Sequence, residues 1–222
     1  MTRPLRRPGR PAAAALLVAV FVAVLAACAV STSAGGGGVP ASGSASGTPA
    51  GTGPSLATGP GPQPRYTVHQ APAAGSCRYR YVRSKPLPDP SCTPGAVNPQ
   101  VTEQTLRSTI CRQGYSGDVR PPREVTDREK RLSARAYGYT GSFATAEFDH
   151  LVPIGVGGDP NDPRNLWLEP NDVARATDNQ NTKDDVESTL HDAVCSGRVR
   201  LADAQRAIAT DWTTALAVLG LR

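Results

Sequence analysis

Residues 147–170, EFDHLVPIGVGGDPNDPRNLWLEP, set Asp149 beside His150, follow them with Gly157-Gly158, and bring Asn165 fifteen residues after the histidine. These side chains suit the hydrolysis of a phosphodiester. A water must lose a proton in line with the leaving oxygen while the charge growing on phosphorus is neutralised. A neutral imidazole can take that proton, and one divalent cation can clamp the phosphate. Adjacent residues on a strand point to opposite sides. Asp149 could therefore offer a hard oxygen ligand while His150 addresses the water, provided the strand end is bent. Asn165, on a facing strand, could reach the imidazole and fix its tautomer. A further ligand would come from the start of the next helix, where Asp178, Asn179 and Asn181 lie.

The elements around these residues are predicted as strand, loop, strand, helix. Phe148–Pro153 and Asn165–Leu168 read as short strands flanking the turn-rich GVGGDPNDPR. A helix is expected from near Asp178 to about Val194, with Val186, Leu190 and Ala193 or Val194 inward and Gly197 as its stop. Upstream, Thr102–Cys111 has the spacing of a short helix. A second helix should start at Thr126, where Thr126 and Glu129 fit a capping box, and stop at Gly138. Residues 77–100 read as irregular. In LADAQRAIATDWTTALAVLGLR, Leu201, Ala204, Ile208, Trp212, Leu216 and Leu219 recur at three and four, as in one amphipathic helix. Trp167 reads as core, His191 as surface, and Glu147 as either an outer carboxylate of the site or plain surface.

The series resembles the HNH, or ββα-metal (His-Me finger), nucleases. Their core runs Asp-His, a Gly-Gly loop, Asn-Leu, then a helix bearing His or Asn before a Lys. Here the matching stretches are Asp149-His150, Gly157-Gly158, Asn165-Leu166-Trp167 and DNQNTKDDVE. Longer stretches, among them TPGAVNPQVTEQTLRSTICRQGYSGDVRPP, KDDVESTLHDAVCSG and LADAQRAIATDW, are similar to a group of exported bacterial HNH proteins. The resemblance thus runs from about Cys92 to Trp212. It implies an α+β fold in which a small ββα-metal core, a two-stranded hairpin plus helix, is embedded in a mostly helical, disulfide-pinned domain. It implies His150 as general base, Asn165 holding that base, and Asp149 and Asn179 as metal ligands, with Asn181 the rival to Asn179. The ion implied is Mg²⁺ or Mn²⁺, with zinc disfavoured by the oxygen-rich set. The substrate implied is nucleic acid, DNA ahead of RNA, cut to leave 5′-phosphate ends by a monomer. Arg120, Arg123, Lys130, Arg164 and Lys183 are the basic residues expected along it.

The remaining sequence places this domain. Arg3, Arg6, Arg7 and Arg10 precede the uncharged run Ala12–Ala27, which is short for a membrane span. The run closes on Leu25-Ala26-Ala27-Cys28, similar to a bacterial lipobox. Residues 1–27 therefore read as a lipoprotein signal peptide. Residues 28–75 read as a lipidated Cys28 followed by a disordered Gly/Ala/Ser/Pro tether containing His69, and residues 76–222 as the domain. The expected location is the outer face of the cell membrane. The formal charge of +5 comes from the leader and tether: the first 88 residues hold nine basic side chains and no acid, leaving 24 − 9 = 15 bases against 19 acids. The pI is thus no argument for nucleic-acid binding. Arg107–Arg135, with eight bases against four acids, is the local exception. Beyond Cys28, the four cysteines Cys77, Cys92, Cys111 and Cys195 lack a zinc knuckle and suggest two disulfides in three possible pairings. Cys77–Cys92 and Cys111–Cys195 are favoured, because the first closes the irregular segment and the second ties the N-terminal part to the end of the motif helix.

Overall fold

The computed structural model describes residues 56–172 and 181–222. Among the described residues the fold is α+β, built from short helices and three two-stranded sheets, with two disulfides. Cys28 and Asn179 lie outside the described residues.

The packed chain starts earlier than Ser76. Strand β1 (Ala57–Thr58) pairs in parallel with β4 (Ala96–Val97). Past it, the Gly61 amide donates to Asp159 Oδ2 at 2.6 Å, and the Tyr66 hydroxyl to the Val119 carbonyl at 2.6 Å. The tether boundary at residue 75 is therefore corrected: 56–75 is bound to the domain. Its low apolar content gave little sign of this because, Leu56 apart, the anchors are backbone groups and polar side chains.

Residues 77–100 are more regular than expected. Strands β2 (Arg80–Val82) and β3 (Lys85–Leu87) form an antiparallel hairpin. Its turn residues, Arg83 and Ser84, both have positive φ (49° and 67°), a conformation usually announced by Asn-Gly. Cys77–Cys92 closes this segment. Leu106–Ser108 forms a single 3₁₀ turn where a helix was expected. The Thr105 hydroxyl accepts from the Thr102 amide at 2.8 Å and donates to the Gln100 carbonyl at 2.7 Å, competing with helical bonding.

A short helix α1 (Tyr115–Val119) leads through the extended Arg120–Pro122 to α2 (Arg123–Ala136). Helix α2 begins three residues before Thr126, after the proline pair. Glu129, expected at its cap, is instead buried in its middle. Strands β5 (Ala146–His150) and β6 (Leu166–Pro170) pair antiparallel, with Glu147 opposite Glu169 and Asp149 opposite Trp167. Strand β6 lies within two residues of its predicted range, whereas β5 starts two residues earlier and ends three residues earlier than Phe148–Pro153. Helix α3 (Thr182–Cys195) is capped by Asn181, whose side chain takes the Asp184 amide while Asp184 returns a bond to the Asn181 amide.

The C-terminal segment forms two helices, α4 (Leu201–Asp211) and α5 (Ala215–Val218). The single helix breaks where Asp211 captures the Thr213 amide at 2.9 Å and the Trp212 indole turns to the Pro86 carbonyl at 2.8 Å. The main core joins Val186, Leu190 and Val194 of α3 to Leu201, Ala204 and Ile208 of α4, and to Val152, Ile154 and Val156 of the loop after β5. Cys111–Cys195 fastens α3 to the segment before α1. Trp167 packs with Tyr137, Tyr79 and Cys77 in a smaller cluster and is fully buried, as its core reading required.

Gly158 is a tight point of this frame. A Cβ there would meet the Val152 carbonyl oxygen at 1.7 Å. Gly158→Ala should lower unfolding free energy by about 2–3 kcal/mol through forced backbone displacement. Urea melts measure this, and an unchanged midpoint would remove Gly158 from the constraint.

Candidate active site

His150 ends β5 and lines a cleft of about 440 Å³ with Arg120, Glu147, Asp149, Glu187 and His191. Its Nε2 lies 3.0 Å from the Pro160 carbonyl oxygen. A carbonyl only accepts, so Nε2 carries the hydrogen and the proton-accepting nitrogen of the neutral ring is Nδ1. Burial, with Arg120 next in weight, pushes the imidazole pKa down to about 4. The ring is therefore neutral at physiological pH.

Asn165 acts differently from the expectation. Its side chain does not bond the imidazole. Oδ1 accepts from the Val152 amide at 2.9 Å and the Ala96 amide at 3.4 Å, while Nδ2 donates to the Val152 and Asp159 carbonyls at 2.9 and 3.0 Å. It braces the loop that carries Pro160, and Pro160 supplies the orienting acceptor.

Lys183 also departs from its expected place on a nucleic-acid path. It is buried, and its Nζ donates to Asp149 Oδ2 at 2.8 Å, to the His150 carbonyl at 2.9 Å and to Glu187. Burial works to lower the pKa of this ammonium, but Asp149, Glu187 and Glu169 outweigh it and hold it well above the usual lysine value. Burial likewise works to raise Asp149, and Lys183 overrides it, keeping that carboxyl below its usual range. Neither of the bonds to Asp149 Oδ2, from Lys183 and from the Trp167 indole, uses Oδ1.

Two carboxylates that sequence reasoning missed, Glu187 in the cleft lining and the buried Glu169, stand near Asp149. One oxygen each of Glu147, Asp149 and Glu169 lie within 4.8 Å of one another. Glu169 is fully buried and neither of its oxygens makes a well-formed hydrogen bond, although its carboxyl lies against Asp149. Burial, then the Asp149 charge, raises Glu169 well above the usual range and Glu147 to about 8. Glu187 is raised to about 7, chiefly by burial. The alternation of Glu147 and Asp149 along β5 was the available signal for this acidic face. Glu169 required the register of β6.

The other expected residues divide. Arg120 is exposed and lines the cleft, and Arg123, exposed at the start of α2, stands near it in sequence. Lys130 is turned to the Ala146 and Phe143 carbonyls at 2.6 and 3.1 Å. Arg164 is paired with Asp162. Asn181 is committed to the α3 cap and donates to Glu147 Oε1 at 2.7 Å. His191, read as surface, lines the cleft and bonds the Ile110 carbonyl at 3.1 Å. Comparisons with protein-family models, curated proteins and solved structures return no match.

The buried carboxylates set a pH dependence of stability. Glu147, Glu187 and Glu129 have folded pKa values raised to about 8, 7 and 7. Each holds its proton more tightly in the fold than in the unfolded chain, so the stability it contributes is full below about pH 4.5 and falls as pH rises to its folded value. In EDTA, the melting temperature should therefore fall between pH 5 and pH 8. A melting temperature that is flat or rising across that window would contradict these environments.

Proposed function

We propose that this chain is an exported, metal-dependent endonuclease of the HNH type that hydrolyses phosphodiester bonds of DNA, with RNA as the alternative substrate. The observation that carries the reading is His150: a neutral imidazole of fixed tautomer, beside Asp149, in an open cleft flanked by Arg120. The β5–β6 hairpin followed by α3 is the arrangement the ββα-metal resemblance calls for. Nδ1 of His150 takes the proton of the attacking water, and the Pro160 carbonyl stabilises the imidazolium through Nε2–H. Arg120 attracts the phosphate, whose negative charge in turn raises the proton affinity of His150.

The donor set fits a hard cation. Glu169 has two buried oxygens without a well-formed bond, and Glu147 and Asp149 stand beside it. Asp149, with Glu147 and Glu169, would hold Mg²⁺ or Mn²⁺, and Asn179 remains the proposed amide ligand. Such an ion supplies charge neutralisation at the scissile phosphate. By the lipobox resemblance, Cys28 anchors the protein on the outer membrane face, and the disulfides suit that oxidising side.

One observation favours a second reading, a non-catalytic binding or structural module on the same scaffold. The buried Lys183 already neutralises Asp149. A plasmid-nicking assay separates the two. Wild type should nick DNA with Mg²⁺ or Mn²⁺ and not in EDTA, and His150→Ala should lower the rate by roughly 10²–10⁴-fold. The acid limb of activity should lie below the ordinary histidine range, since activity needs the neutral ring and is lost only as pH falls through its folded value. No cleavage with any divalent ion supports the module instead, and equal cleavage by His150→Ala overturns the role given to His150.

A further inference from the structure

We propose that His69, Glu129 and Asn161 form a separate cation site, for a borderline divalent ion of the zinc class, that ties the 56–72 segment to α2 and to the loop carrying Pro160. The proposal does not depend on the nuclease reading.

Glu129 is fully buried in α2. Its Oε1 accepts from the His69 amide at 3.0 Å and from Asn161 Nδ2 at 3.4 Å, and its Oε2 has no partner. The His69 ring settles its own tautomer. Nδ1 lies 3.3 Å from the Gln70 carbonyl, which can only accept, so in the neutral ring Nε2 bears the lone pair. That Nε2 is buried, has no hydrogen-bond partner, and stands 3.5 Å from Glu129 Oε1. Asn161 Nδ2 donates to Glu129 and to the Thr67 carbonyl at 3.3 Å, which fixes Oδ1 as the free acceptor of the amide, and it too is buried and unpartnered.

Three buried atoms without a partner, Glu129 Oε2, His69 Nε2 and Asn161 Oδ1, thus belong to residues that meet at Glu129 Oε1. A proton on Glu129 Oε2 can serve only one of the other two atoms, His69 Nε2 or Asn161 Oδ1, and leaves the other unserved. A water has two hydrogens for three acceptors. A cation serves all three. With metal–nitrogen and metal–oxygen distances of about 2.0–2.2 Å, two ligand atoms on one tetrahedral ion stand about 3.4 Å apart, and the Glu129 carboxylate comes to 3.5 Å from His69 Nε2 through Oε1, the bonded partner of the free Oε2. One imidazole, one carboxylate and one amide oxygen favour zinc over magnesium. The electrostatics agree: burial lowers the His69 pKa and raises Glu129 to about 7, so both groups carry their desolvation without a compensating charge. Asp162, bonded to Arg164, is the other acid acting on His69.

The full chain, stripped with EDTA, is titrated with ZnCl₂ and with MgCl₂ by calorimetry and thermal melting. We expect one Zn²⁺ equivalent that raises the melting temperature and that excess Mg²⁺ does not displace. His69→Ala should weaken this binding at least tenfold and abolish the thermal shift. Glu169→Gln and His191→Ala should leave it intact, which separates this site from the cleft. His69 is chosen because it lies at a partly exposed position, whereas Glu129 is fully buried. Co²⁺ in place of Zn²⁺ should give visible absorption in wild type that His69→Ala loses. Absence of a Zn²⁺ event, an event unchanged in His69→Ala, or one lost in Glu169→Gln would overturn the proposal.

Discussion

The buried ammonium of Lys183 is the interaction on which the region around His150 depends. It is the second residue of α3, and its three hydrogens go to Asp149, the His150 carbonyl and Glu187. An ammonium taken out of water costs several kcal/mol unless every hydrogen is received and an opposite charge is close. Only one placement of α3 against the end of β5 meets that condition. The Asn181 cap works in the same direction, since the side chain that starts α3 also reaches Glu147 two residues before Asp149. Helix and hairpin therefore fix each other's register through polar bonds at the edge of the apolar core.

The same ammonium leaves a charge imbalance. One buried lysine faces Asp149, Glu187, Glu147 and Glu169, with Asp184 nearby. The fold meets the excess by keeping protons on carboxyls at neutral pH, above all on Glu169. A floor of this kind repels phosphate as long as the acids can ionise. The cation attributed to this site therefore answers two requirements at once, since it would replace those protons and reverse the sign of the surface that a phosphodiester meets. Arg120 alone, on the rim, does not do so.

What could be read in the sequence follows the range of the forces involved. The inward faces of α3 and α4 were legible because apolar periodicity is local, and Gly197 marks a helix end by its positive φ. The cysteine pairing was legible from segment logic. The β2–β3 hairpin was not, because Arg83-Ser84 lacks the residues that usually occupy such a turn. Lys183 read as a surface base because its three acceptors come from a strand 33 or 34 positions away and from the next turn of its own helix. His69 read as tether because its amide partner is an acid 60 positions on, buried in the middle of α2. For Lys183 and His69 the deciding bonds were long-range and polar.

The orientation of His150 shows what such bonds accomplish. The acceptor on its Nε2 is a backbone carbonyl, so no side-chain replacement at residue 160 deletes it directly; its position is set by the loop. That loop is held by the Asn165 side chain from one side and, from the other, by Asp159, whose carboxylate accepts the amides of Gly61, Asn161 and Asp162. Gly158 admits no side chain between Val152 and Asn165. The tautomer of the imidazole thus depends on a polar frame that includes the segment around Gly61. A carboxylate partner for Nε2 would have raised the basicity of the ring more, but it would have added another acid to a floor already short of positive charge. A neutral carbonyl orients the ring without that cost, which is consistent with the acid-rich surroundings of this histidine.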